Sequence, residues 1–356
     1  MKKITTIVGA RPQFVKAATL SRQFQLLGIE EKIIHTGQHF DANMSEVFFE
    51  EMEIPTPAYQ LDIHGLSHGA MTGRMLEAIE KILLTDKPEA LMVYGDTNST
   101  LAGALAASKL HIPVIHVEAG LRSFNMLMPE EINRILTDRI SNVLFCPTQT
   151  AIKNLHNEGF DNLPIQIVKN GDVMQDAAIY YAEKAYSKSQ VIQKNKLQNF
   201  VLATIHRQEN TDSPENLTNI IQGLNEIHKQ IPVVVPMHPR TRQVLANQNL
   251  QPEFMIIDPV GYFDMIMLLK NCDLVITDSG GVQKEAFFFG KHCITLREET
   301  EWVELIENGF NILVGSHQEK IKQAFQILIN KESDFSVDLY GKGKAAQLAA
   351  QFIAEY

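Results

Sequence analysis

Carboxylates recur in this chain where a protein of alternating strands and helices would put a ligand. Residues 90–94 read as a strand that runs out into Gly95 and Asp96, and residues 113–117 as a strand that runs out into Glu118 and Gly120. Two consecutive strands thus each deliver an acid at their C-terminal end, where open α/β sheets hold their ligands. A second stretch suits an anion. In residues 272–289, CDLVITDSGGVQKEAFFF, an apolar run at 274–277 passes through the turn 278–281 into a helix over 282–289. Free N–H groups at such a helix start can hold a diphosphate, and glycines let its oxygens approach the backbone. Arg11 and Lys16 follow the strand 4–8 into a helix start, and His206 and Arg207 follow the strand 200–204. Taken singly, each group also suits a structural role, as a solvated cation or a turn that binds nothing.

The elements that must position these groups are bounded by size and composition. A chain of 356 residues is long enough for two cores, since single cores stop growing near ~250–300 residues. With 45% hydrophobic and 21% charged residues it has the make-up of an ordinary globular protein, which excludes the disordered and fibrous classes. The net charge of −10 argues against nucleic acid as a partner, because such binding rests on basic patches. It does not exclude a small anionic ligand. Beyond about 8 Å charges are largely screened, so the local cations decide. Cys146, Cys272 and Cys293 are odd in number, have no metal-ligand spacing and sit beside apolar runs. They read as reduced, buried thiols of a cytoplasmic protein. The start MKKITTIVGARP is too short and too rich in threonine for a signal core, and no apolar stretch reaches ~18 residues, so no membrane partner is expected.

Periodicity predicts strands over 4–8, 32–35, 90–94, 113–117, 143–146 and 166–168, then over 200–204, 233–235, 255–257, 274–277 and 293–296. Helices are expected over 14–27, closed by Gly28, over 41–53 with Met44, Val47, Phe48 and Met52 inward, and over 70–84 and 99–110. Pro129 starts another, with Glu130 and Glu131 as acids of its first turn. Ser213 and Pro214 open one whose Leu217, Ile220, Ile221, Leu224 and Ile227 form a stripe. Further helices are expected over 262–269, 318–328 and 344–353, with loops over 53–67 and 121–128 and an acidic turn, REETEWVE, over 297–304. The pattern predicts two doubly wound Rossmann-like domains: 1–170 with the acids, 171–335 with the nucleotide turn, and 336–356 as a helix packing back on the first.

On these motifs the chain resembles the non-hydrolysing UDP-N-acetylglucosamine 2-epimerases, a family with the glycosyltransferase B fold. The resemblance covers residues 3–315. It rests on GARPQFVKAA at 9–18, TGQH at 36–39, GDTNSTLAGALAA at 95–107, HVEAGLRS at 116–123, PEEINRILTD at 129–138, IHR at 205–207 and TDSGGVQKEA at 277–286. It implies anti elimination of UDP from UDP-GlcNAc to give 2-acetamidoglucal, then readdition to give UDP-ManNAc, a precursor for cell-surface polysaccharide. The C2 proton is not acidic, so its removal needs a positioned base, and inversion needs a donor on the other face. The matching residues are Asp96, Glu118 and Glu130, a coupled set whose acid and base roles stay open, with His206 stabilising the departing UDP. Arg11, Lys16, Ser279, Gly280 and Gly281 would face the diphosphate, and Glu285 the ribose hydroxyls. The resemblance implies no cofactor or metal, and a homodimer.

Some departures bear on the sugar. Gln13 stands where the family has an acid, and Trp302 where it has an arginine. Both resemble the branch acting on UDP-2,3-diacetamido-2,3-dideoxy-glucuronate, whose carboxylate Arg240, Arg242 or Arg297 could pair with. Gln38, Arg74 and His238 resemble parts of an activating second-substrate site, although Asp41 stands where glutamine is usual. A UDP-sugar-dependent glycosyltransferase is the rival of another class, and the three acids in one half disfavour it.

Overall fold

In the computed structural model, residues 1–38, 49–50 and 53–356 are described. Most of the helix expected over 41–53, with Met44, Val47, Phe48 and Met52, lies outside them, as do His39, Asp41 and the side chain of Arg11. The chain divides into two units, Met1–Ala177 with Asp338–Tyr356, and Ala178–Val337. The first boundary falls within the helix Val173–Lys188.

The first unit holds β1 (Lys3–Val8), β2 (Glu30–His35), β3 (Tyr59–Gln60), β4 (Ala90–Tyr94), β5 (Val114–Val117), β6 (Val143–Cys146) and β7 (Gln166–Lys169), in the order β3-β2-β1-β4-β5-β6-β7. The second holds β8 (Val201–Thr204), β9 (Val233–Pro236), β10 (Met255–Ile257), β11 (Leu274–Thr277), β12 (Cys293–Thr295) and β13 (Asn311–Leu313), in the order β10-β9-β8-β11-β12-β13. The registered pairs are parallel. This is the α/β class that the alternation of elements predicts. Strand order reverses between β1 and β4 and between β8 and β11, and at such switch points the loops diverge and leave room for a ligand.

Packing follows composition. In the helix Asn98–Lys109, Ala102, Ala104, Ala106 and Ala107 are fully buried, and a Cβ on Gly103 would stand 2.8 Å from Ile7 Cγ1. Small residues therefore bring this helix directly onto β1 and β4. In the second unit the stripe Leu217, Ile220, Ile221, Leu224 and Ile227 of the helix Pro214–His228 is buried as its spacing predicts. The terminal helix Ala345–Glu355 belongs to the first unit. Asp176 accepts the N–H groups of Ala345 and Ala346 at 3.1 and 2.8 Å, and Phe352 meets Phe145 with ring centroids 5.6 Å apart.

Some elements differ from expectation. β3 lies in a stretch expected as loop, and β13 had no forecast; at two and three residues neither can display an alternation. The helices Gln149–Asn157 and Pro239–Asn247 also went unforeseen, and a short helix, Val303–Glu307, starts at the end of the acidic turn.

Candidate active site

In the first unit the ends of β1, β4 and β5 converge because these strands are neighbours. Lys16, one turn into the helix Arg11–Leu27, is buried and forms an ion pair with Glu118. Glu118 follows β5 with a left-handed φ of 70°, a conformation side chains rarely adopt and one that re-aims its carboxylate. Gly95 is also left-handed, and a Cβ there would stand 3.3 Å from Lys16 Nζ and 3.5 Å from Glu118 Oε2. Next to it, Asp96 pairs with Arg134 of the helix Pro129–Ile140, and Arg134 Nη1 reaches Glu131 Oε2 at 2.6 Å. Burial raises the Asp96 carboxyl, but Arg134, Lys16 and His116 together hold it below the usual carboxylate range. Asn133 donates to the Asp96 carbonyl at 2.9 Å.

The two acids of the Pro129 helix part company. Glu131 is fully buried and accepts from Ser123 N and Phe124 N at 3.0 and 2.9 Å, so it shapes the loop before the helix. Glu130 is exposed. It precedes Asn133 and Arg134 by three and four positions, which puts it on the helix face that meets Asp96.

Gln13, an acid in the resembled motif, proves to be a strut. It accepts from Gly9 N and Ala10 N at 2.8 and 3.0 Å and donates to Tyr94 O, Thr97 Oγ1 and Thr100 Oγ1 at 2.8, 3.0 and 3.0 Å. A carboxylate could not donate to the Tyr94 carbonyl, and would have to accept from the two threonine hydroxyls instead. Gln38 also ties the scaffold, accepting from Ser99 N and Oγ at 3.0 and 2.7 Å, while Arg74 is exposed on the helix His68–Asp86.

In the second unit the switch point between β8 and β11 carries the other groups. Asp278, fully buried after β11, accepts from His206 N, Arg207 N and Asn210 Nδ2 at 3.0–3.1 Å, joining the two strand ends. Burial raises its carboxyl, but contact with His206 and the backbone donors brings it below the usual range. His206 Nδ1 stands 2.9 Å from Asp278 Oδ1 while the side chain is largely exposed, so Nε2 is the nitrogen turned outward. Ser279 caps the helix Gly280–Phe288 through Val282 N at 3.4 Å, Gly281 is exposed, and Glu285 is buried one turn on. His238 caps the helix Pro239–Asn247, accepting from Arg240 N at 3.2 Å.

The three arginines named for a substrate carboxylate differ. Arg240 pairs with Asp212 at 3.1 Å, and Arg242 with Asp258 at 2.9 Å. Arg297 is buried after β12, pairs with Glu301 at 3.0 Å, and lies beside Gly280, where a Cβ would stand 3.7 Å from Nη1. Its Nε and Nη2 have no hydrogen-bond partner among the described residues. Trp302 is buried, with Lys284 Nζ 3.9 Å from its ring centroid, a cation–π contact that no strand or helix period signals. Among the described residues there is no group of three His, Cys, Asp or Glu able to hold a metal ion.

A family model described as UDP-N-acetylglucosamine 2-epimerase matches residues 24–354. The chain is 56% identical over 355 residues, 99% of each protein, to the UDP-2,3-diacetamido-2,3-dideoxy-D-glucuronate 2-epimerase of Pseudomonas aeruginosa. It is 45% identical over 361 residues, 97% of each, to the UDP-N-acetylglucosamine 2-epimerase of Methanocaldococcus jannaschii. A crystal structure of the M. jannaschii UDP-GlcNAc 2-epimerase in complex with UDP-GlcNAc and UDP superposes with a TM-score of 0.91 at 43% identity, covering 100% of both chains. The Neisseria meningitidis UDP-GlcNAc 2-epimerase bound to UDP-GlcNAc gives a TM-score of 0.90 at 30% identity over 100% of both.

Proposed function

We propose, from the premise that the chain belongs to the UDP-N-acetylglucosamine 2-epimerase family, that this UDP-sugar 2-epimerase inverts C2 of UDP-2,3-diacetamido-2,3-dideoxy-glucuronate. The observation that carries the chemistry is the pair of carboxylates on adjacent strand ends, Asp96 and Glu118, each ion-paired to a buried cation. In the forward half-reaction a carboxylate takes the C2 proton, the C1–O bond breaks with its electron pair leaving on UDP, and a glucal remains. In the return half the UDP oxygen closes on C1 while a second acid protonates C2 from the opposite face. Asp96, Glu118 and Glu130 fill these roles as a coupled set, since neighbouring carboxylates exchange protons as a group. His206, aligned by Asp278, stabilises the charge that grows on the departing UDP. Ser279, Gly280 and Gly281 with Lys16 and Arg11 hold the diphosphate, and Glu285 accepts the ribose hydroxyls.

The uronate is supported by 56% identity to the enzyme named for it, against 45% to the M. jannaschii enzyme. Arg297 supports it too, as the buried cation with donors to spare for a substrate anion. UDP-GlcNAc, interconverted with UDP-ManNAc for surface polysaccharide, is the second reading, favoured by the ligands of the superposing structures. Incubation with each UDP-sugar in D2O separates them. The proposal expects deuterium at C2 of both epimers of the uronate and a kcat/KM for it at least ~100-fold above that for UDP-GlcNAc; the reverse preference contradicts it. Incorporation with neither sugar, with transfer to an added acceptor, would favour a glycosyltransferase.

A cytoplasmic homodimer completes the proposal. Phe124, Met126, Leu127, Ile132 and Leu136 are exposed apolar side chains in and just before one helix, a concentration that a second copy would cover. Sedimentation at micromolar concentration should give twice the chain mass. Gln38, Arg74 and His238 as an activating site predict a sigmoidal dependence on UDP-GlcNAc, which a hyperbolic curve would contradict.

A further inference from the structure

His116 is the one ionisable residue in the strand VIHV, and it is fully buried between β4 and β6. An imidazole so placed is ordinarily neutral, with one donor and one acceptor nitrogen. Here both nitrogens face oxygen acceptors at 2.7 Å: Nδ1 meets Asp138 Oδ1 and Nε2 meets the Gly95 carbonyl. Neither oxygen brings a proton if Asp138 is ionised. Burial raises the Asp138 carboxyl, but His116 first and then Arg122 hold it below the usual range. Its second oxygen accepts from Arg122 Nη1 at 2.7 Å and Gly120 N at 3.1 Å, and Arg122 is tied to Glu158 at 2.6 and 2.8 Å. This arrangement asks both ring nitrogens to donate.

The two ends of this pair hold the two turns that bear the acids. The Gly95 carbonyl belongs to the peptide that joins Gly95 to Asp96, so the Nε2 bond sets the direction in which Asp96 leaves β4. Gly120 lies two residues past Glu118, and its N–H bond to Asp138 holds the left-handed turn in which Glu118 sits. We propose that His116 is a positioning residue, a charged imidazolium that with Asp138 fixes the turns of Asp96 and Glu118. Its charge also acts on Asp96. The ring does not deliver protons to substrate: both nitrogens are engaged and neither is exposed. Among the described residues, Lys16, Arg134 and His116 act on Asp96, and Arg122, through it Glu158, and the Cys146 thiol face the His116–Asp138 pair.

The kinetic test rests on the epimerase reading; the structural test does not. His116→Gln can donate from one nitrogen only and carries no charge. With the UDP-sugar that the wild-type protein epimerises, this variant should lose at least ~10-fold in kcat while KM and UDP affinity stay within about twofold. Losing a cation also raises the affinity of Asp96 for its proton, so the limb of the kcat–pH profile that it governs should move up by about half a unit to one unit. A profile that superposes on the wild type, or a loss confined to KM, overturns the proposal. Neutron crystallography of the wild-type protein near neutral pD decides the charge whether or not the variant folds. Deuterium on both ring nitrogens is expected, and one bare nitrogen overturns it. Wild-type inactivity toward both UDP-sugars would sink the functional reading and leave the neutron result standing.

Discussion

Replacing Gly281 by alanine separates a nucleotide cradle from an ordinary turn. A Cβ at this exposed position meets no heavy atom within 4 Å, and the residue lies in the first turn of Gly280–Phe288. The free protein should therefore accept the methyl group. Alanine is preferred over glycine in helices by up to ~1 kcal/mol, so Tm should hold or rise by up to about 3 °C. If the diphosphate closes on these backbone N–H groups, the same methyl group stands in its path. Titration calorimetry with UDP should then show Kd raised at least ~10-fold, about 1.4 kcal/mol. Gly280→Ala is the contrasting case. Its Cβ would stand 2.6 Å from Glu301 Oε1 where ordinary contact begins near 3.4 Å, so Glu301 must withdraw and disturb its pair with Arg297. That variant should weaken UDP with or without direct contact. UDP affinity within twofold of wild type for Gly281→Ala would refute the cradle and return the turn to a purely structural part.

Burial pushes the Asp176 carboxyl from an ordinary 3.8 up to about 6, so its proton binds more tightly in the folded protein. The stability this adds is complete below about pH 3.8 and is lost as pH rises through about 6, a swing of at most ~3 kcal/mol. Amide exchange at Ala345 and Ala346 should follow that window in wild type, and Asp176→Asn should flatten it; a pH-independent opening energy in wild type contradicts it. Gly103→Ala puts a Cβ 2.8 Å from Ile7 Cγ1 and should cost ~1–3 kcal/mol in urea unfolding, with an unchanged midpoint counting against the packing. Burial raises the Cys146 thiol and pushes Cys272 and Cys293 up to about 12, so at pH 8 a thiol reagent should label none of the three in native protein and all after unfolding.

Much of the architecture was legible in the chain because its signals are local. The buried runs of β4, β5, β8 and β11, the stripe of the Pro214 helix and the Gly28 stop follow from side-chain period and backbone preference. Motif residues such as Asp96, Glu118 and Ser279 could be named as site candidates because turns after parallel strands are where an α/β sheet presents groups. β3, β13 and the helix Val303–Glu307 escaped because two to five residues cannot establish a period. What the tertiary structure decided is which candidate meets which. Strand order, set by crossovers over dozens of residues, puts β1, β4 and β5 side by side, so Lys16 meets Glu118 and Arg134 meets Asp96. It sorts Arg297 from Arg240 and Arg242, gives Gln13 its place as a strut between β1 and β4, and separates buried Glu131 from exposed Glu130. It also finds His116, whose place in VIHV looks like any core position until Asp138 and the Gly95 carbonyl close on both sides of the ring. Periodicity acts between neighbours in sequence, whereas charge and hydrogen bonding act between neighbours in space.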